Sequence, residues 1–112
     1  MLYNVTKKTI VVDELKIARN FKERLIGLMF KSRIDKNEGL LILGCNSIHT
    51  CFMRFAIDVV FINPDHRVIF IKEKVKPWRG TGFVRRAYMT LELPEGTVAR
   101  KDISIGDILI MN

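Results

Sequence analysis

Glutamine is absent from the chain, and in 112 residues tryptophan occurs once, tyrosine and cysteine twice each, and proline three times. Two cysteines are too few for a disulfide scaffold. If the six-residue stretch from Cys45 to Cys51 is extended at ~3.3 Å per residue, the two sulfurs stand too far apart to bond, so reduced thiols are expected. No apolar run approaches the ~20 residues that a bilayer-spanning helix needs. The opening residues, Met1-Leu2-Tyr3-Asn4-Val5-Thr6-Lys7-Lys8, lack the apolar stretch of a signal peptide. A cytoplasmic protein without membrane contact is the expectation. Repeats, low-complexity tracts and Pro/Gly-rich linkers are missing too, so residues 1–112 read as one domain, of a size that folds without covalent staples. The chain carries no G-x-G-x-x-G, Walker loop, H-E-x-x-H or G-x-S-x-G, and its acids form no pair suited to glycoside chemistry. Common enzyme classes and bound cofactors are therefore not expected.

What is present describes a folded protein: 48% hydrophobic and 28% charged residues. Its net charge of +7 favours solubility and weak attraction to polyanions. A chain rich in Lys, Arg, Ile and Val and free of Gln leans towards a thermophilic source.

The hydropathy pattern is that of short strands. Leu2–Thr6 is one candidate, and Thr9–Val12 continuing through Leu15–Ala18 is another, with Lys7-Lys8 and Asp13-Glu14 as polar breaks. Asn20 has the chemistry of an N-cap and Glu23 completes a capping box, while Leu25, Leu28 and Met29 share one face of a short helix near 21–30. Leu40–Leu43, Phe55–Phe61, Arg67–Lys72, Ala87–Leu93 and Ile108–Met111 read as further strands. Asn63-Pro64-Asp65-His66 forms a hairpin turn, and a helical turn near 97–101 is capped by Thr97. Such strands, with turns every ~8–12 residues, predict a mainly β fold: one antiparallel β-sandwich or barrel-like domain with its helices at one end.

The segment Cys45-Asn46-Ser47-Ile48-His49-Thr50-Cys51-Phe52-Met53-Arg54-Phe55-Ala56-Ile57-Asp58 gathers two thiols, a histidine, a hydroxyl, an arginine and a carboxylate between apolar runs. If it is extended, Cys45, His49 and Cys51 share one face and Thr50, Arg54 and Asp58 the other. A zinc site on the first trio lacks a fourth ligand and the C-x₂₋₄-C spacing, so no metal is expected. A Cys–His nucleophile competes with the plainer reading of inert buried thiols and a hydrogen-bonded core histidine.

From Ser47 onwards this stretch, continued by Val59-Val60-Phe61, resembles the signature of the domain-of-unknown-function 192 family. Arg24-Leu25-Ile26-Gly27-Leu28-Met29, Gly39-Leu40-Leu41, Leu91-Glu92-Leu93-Pro94-Glu95-Gly96-Thr97 and Gly106-Asp107 agree in order, from about residue 10 onwards. The chain departs from the pattern at Cys51, where an aromatic is usual, and at Ala56, where proline is usual. The resemblance implies a compact, sandwich-like β domain and no particular reaction.

Two sets of residues are candidates for function. Arg24, His49, Thr50, Arg54 and Asp58 would line a small polar pocket for a polar or anionic ligand. The competing structural reading pairs the buried arginines with Asp58, Glu92 and Asp107 to pin the fold. Between residues 72 and 86, Lys72, Lys74, Lys76, Arg79, Arg85 and Arg86 face one acid, Glu73, and interleave with Trp78 and Phe83. That mixture suits a polyanion or an acidic protein, and it equally suits a lysine-rich strand edge that resists aggregation. A non-catalytic binding or accessory module is the leading expectation. Partner binding through residues 72–86 comes second, and an unusual enzyme built on His49 with Asp58 or Cys45 third.

Overall fold

The computed structural model describes residues 1–20, 23, 26–29 and 31–111. Their strands are β1 (Leu2–Asn4), β2 (Thr9–Val12), β3 (Glu14–Ala18), β4 (Glu38–Leu43), β5 (Ile57–Ile62), β6 (Val68–Val75), β7 (Met89–Pro94) and β8 (Leu109–Met111), with one short helix, α1 (Thr97–Arg100), between the last two. They form a three-stranded sheet in the order β2-β1-β8 and a five-stranded sheet in the order β3-β4-β7-β5-β6. Mainly β architecture in two sheets is as the sequence predicts. The expected helix near 21–30 lies mostly outside the described residues. Its start is visible: the Glu23 amide donates to Asn20 Oδ1 at 2.8 Å, and Glu23 Oε1 accepts from the Arg19 amide at 3.0 Å and the Asn20 amide at 3.4 Å.

Asp13 falls between β2 and β3, and the two strands enter different sheets. The Thr9–Ala18 stretch is thus a crossing between layers rather than one continuous strand. β3 pairs with β4 in parallel, Glu14 opposite Glu38, whereas the other pairings among the described strands are antiparallel. A parallel partner requires a long crossover, and residues 19–37 supply it.

Alternation sorts the large sheet into two buried faces. Leu41, Val60, Ile62, Leu91 and Leu93 meet Leu2, Val11, Val12 and Leu109 of the small sheet in one cluster. Leu40, Ile42, Ile57, Val59 and Phe61 pack on the opposite face under Leu28 and Met53 in a second. β5 and β7 are buried along their whole length because both faces are covered. Among the described residues no helix is long and apolar enough to cross a membrane.

Candidate functional site

Residues 45–56 form an irregular loop, so the shared faces that an extended segment would give do not arise, and β5 begins only at Ile57. The loop is nonetheless tightly fixed. It runs antiparallel to residues 78–84: the Thr81 amide donates to Ile48 O at 3.0 Å, the Thr50 amide to Arg79 O at 2.8 Å and the Val84 amide to Asn46 O at 2.8 Å. Thr50, fully buried, holds the two segments together. Its hydroxyl donates to Lys76 O at 2.6 Å and accepts from the Arg79 amide at 2.8 Å, while its carbonyl accepts from the Trp78 amide at 3.0 Å.

Asp58 is fully buried, and its partners are backbone amides rather than an arginine. Between the pairs Ile57–Val75 and Val59–Lys72, one residue of β5 faces two of β6, which is a β-bulge. Asp58 Oδ1 accepts from the Lys74 amide in that bulge at 3.0 Å. Oδ2 accepts from the Gly96 amide at 3.1 Å and the Val98 amide at 2.9 Å. The α1 cap therefore comes from β5. Thr97 does not provide it: Gly96 is the N-cap, at φ 91°, and Thr97 Oγ1 has no partner among the described residues.

The arginine–carboxylate pairing weighed in the sequence does not occur at the buried acids among the described residues. Asp107 accepts from Asn4 Nδ2 at 2.9 Å and the Ser104 amide at 3.0 Å, with Lys7 Nζ at 3.3 Å. Burial pushes its carboxyl up, yet these hydrogen bonds and the Lys7 charge outweigh it and hold the group below its ordinary value.

Glu92 differs from the other two. Leu40 and Val59 flank it on neighbouring strands, it is 3% exposed, and Oε2 has no hydrogen-bond partner among the described residues. Burial pushes its carboxyl up from 4.5 to about 7. An open cleft of ≈ 320 Å³ lies over it, lined by Ile26, Leu28, Met29, Ile48 and Met53 and by Ile42, which shares the sheet face of Glu92. Cys45, Asn46, Ser47 and His49 form its mouth. Glu92 is the floor, because it is buried while Ser47 and His49 are exposed.

Of the residues expected to form the polar pocket, His49 alone among the described residues lines this cleft, with Cys45 of the enzyme reading beside it. Its Nδ1 accepts from the Cys51 amide at 3.2 Å, which leaves Nε2 as the outward atom. Asp58 and Glu92 project from opposite faces of the large sheet, since Asp58 pairs with Leu93 and Glu92 with Val59. Arg54 is exposed and outside the lining, and Arg24 lies outside the described residues. The Cys45 thiol donates to Ser47 O at 2.9 Å, and no described group of His, Cys, Asp or Glu is arranged to hold a metal ion. Sequence reading set Glu92 among buried charges awaiting a partner and left it out of the pocket. The available signal was an acid in a strand whose other residues, Thr90 apart, are apolar.

The cations of residues 72–86 are all exposed. Beside them Trp78 packs against Phe52 in a tilted arrangement, ring centroids 4.7 Å apart and planes 59° apart. Both residues have left-handed backbones, φ 62° and 63°, a conformation that costs a non-glycine residue roughly 1–2 kcal/mol.

Fold and site define a two-sheet β protein whose larger sheet floors a cleft with an acid. Over residues 3–111 the chain matches the model of the domain-of-unknown-function 192 family, described as an uncharacterized ACR, and it belongs to that family. It is 35% identical to a UPF0127 protein of Pyrococcus furiosus over 114 residues, covering 99% of this chain and 97% of that one. Another UPF0127 protein, of Pyrococcus horikoshii, is 35% identical over 99 residues, with 86% and 85% covered. These relatives come from thermophilic archaea. Among solved structures, a protein of unknown function from Novosphingobium aromaticivorans shares the fold at TM-score 0.80 and 24% identity, covering 87% of this chain and 74% of that one. A putative transcription regulator from Sinorhizobium meliloti superposes at TM-score 0.77 and 25% identity, with 86% and 79% covered.

Proposed function

We propose that the chain, acting as one unit over residues 1–112, is a non-catalytic small-molecule-binding module of the cytoplasm whose site is the cleft above Glu92. One observation carries the reading: a carboxylate oxygen buried without a partner among the described residues, at the floor of a mostly apolar cleft. A buried acceptor left unpaired costs about 1–3 kcal/mol, and a ligand that donates to it recovers that cost. The ligand therefore has an apolar body, seated between Ile42, Ile48 and Met53, and a hydroxyl, amide or amine directed at Glu92 Oε2. His49 Nε2 and the Asn46 and Ser47 side chains meet its polar end at the mouth. The exposure of Arg54 away from the cleft weakens the case for an anionic ligand.

Binding is favoured over catalysis because the Cys45 thiol is turned to the Ser47 carbonyl and the Nδ1 lone pair of His49 is taken by the Cys51 amide, so neither is paired with the other as nucleophile and base. A fragment screen followed by methyl NMR tests the reading. Donor-bearing fragments should move the Ile42, Ile48 and Met53 methyl signals, and Ser47→Trp, which fills the mouth, should abolish those shifts. A screen of the folded protein in which no fragment moves them removes the proposal.

A further inference from the structure

The geometry points to a second binding site, on the outer surface of the paired loops, where Phe52 and Trp78 form a stacking platform for the bases of single-stranded nucleic acid. Phe52 is 48% exposed and Trp78 57%. Both are bulky residues held in left-handed backbone conformations, a strain that persists only where the surroundings enforce it. Here the enforcement is visible: around Phe52 the Met53 amide donates to the Thr50 carbonyl at 3.1 Å, and the same carbonyl receives the Trp78 amide, while the Thr50 hydroxyl binds the backbone on either side of Trp78, at Lys76 and Arg79. The rings are thus displayed by a rigid frame, so a base stacking on them meets a surface already ordered.

Charge completes the match. Residues 43–57 and 74–91 contain no acid, while Arg54, Lys74, Lys76, Arg79, Arg85 and Arg86 are all exposed there. A partner that suits this surface carries closely spaced negative charge together with flat, weakly polar faces. Nucleic acid whose bases are unpaired has both; a duplex hides its faces, and an acidic peptide has few to offer. The site is separate from the cleft, since neither Phe52 nor Trp78 lines it.

Trp78 is the only tryptophan in the chain, so its fluorescence reports contact directly. Oligo-dT of about twelve nucleotides, within the usual range of site sizes, should quench it saturably at low salt. If three phosphates are neutralised, the plot of log affinity against log salt should have a slope of about −2. Polyphosphate and polyglutamate of equal charge, and duplex DNA, should compete poorly. Phe52→Leu and Trp78→Leu should each weaken binding of a labelled oligonucleotide roughly tenfold with the melting temperature unchanged. Should either leucine variant fail to fold, the exposed pair Lys76→Glu and Arg79→Glu should abolish binding instead. No quenching at low salt, equal competition by polyphosphate or polyglutamate, or full affinity in both folded leucine variants would overturn the inference.

Discussion

Asp58 acts through its two oxygens, which between them receive three backbone amides from a β-bulge and from the start of α1. Asparagine keeps the shape but offers one carbonyl oxygen in their place, and its NH₂ points at an amide donor. Asp58→Asn should lower unfolding free energy by about 3 kcal/mol in urea titrations at pH 7. A loss below about 1 kcal/mol would mean the amides find other acceptors. Glu92 is the opposite case, because ionising it works against the fold. Its pKa rises from 4.5 to about 7, so it favours the native state most below pH 4.5 and loses that contribution as the pH passes 7, a swing of roughly 3 kcal/mol. Glu92→Gln should accordingly raise stability by roughly 1–3 kcal/mol at pH 8.5 and change little at pH 4.5. A marked loss at pH 8.5 would show instead that a cation of the protein holds the carboxylate.

At the scale of elements, the loops 45–56 and 76–88 behave as a ribbon whose tie is Thr50. Thr50→Val removes the acceptor of the Arg79 amide and the donor to Lys76 O. Hydrogen exchange at the Arg79 amide should accelerate, with a global loss of about 1–3 kcal/mol; unchanged exchange would make the hydroxyl dispensable. These loops are also where the sequence was least legible. The apolar run Leu40–Leu43, the alternation over Phe55–Phe61 and the stretch Ala87–Leu93 marked strands that the structure holds as β4, β5 and β7, and the Asn63 turn is recognisable from its residues, its Oδ1 accepting from the Asp65 and Arg67 amides. Periodicity carries no information about a segment such as 45–56, whose conformation is set by long-range backbone bonds to residues 79–84. The same limit hid the cleft: which face of β7 carries Glu92 follows from pairing with Leu40 and Val59, contacts far away in sequence. The cap of α1 was misassigned for that reason too, since its acceptor comes from residue 58.

For the molecule as a whole, two buried acids titrate in opposite senses. Asp107, held below 3.8, stabilises the fold above that value and loses its contribution as the pH falls through its lowered pKa, whereas the Glu92 contribution fades as the pH rises towards and past 7. Thermal unfolding across pH should therefore peak on the mildly acidic side of neutrality, and Glu92→Gln should flatten the alkaline limb alone. A profile that climbs steadily to pH 8 would contradict the Glu92 assignment, and one that is flat below pH 4 would contradict that of Asp107. The small sheet has a further consequence, in time. Its centre is β1, bonded on one side to β8, and Asn4 and Asp107 meet although they stand 103 residues apart. A ribosome adding ~5–20 residues per second takes roughly 5–20 s between those two residues. Leu91 and Leu93 come late in that interval, so they wait only roughly 1–4 s for Leu109. Leu2, Val11 and Val12 are made long before, so the face that Leu91 and Leu93 turn to the small sheet finds most of its cover ready and closes when Leu109 arrives beside β1.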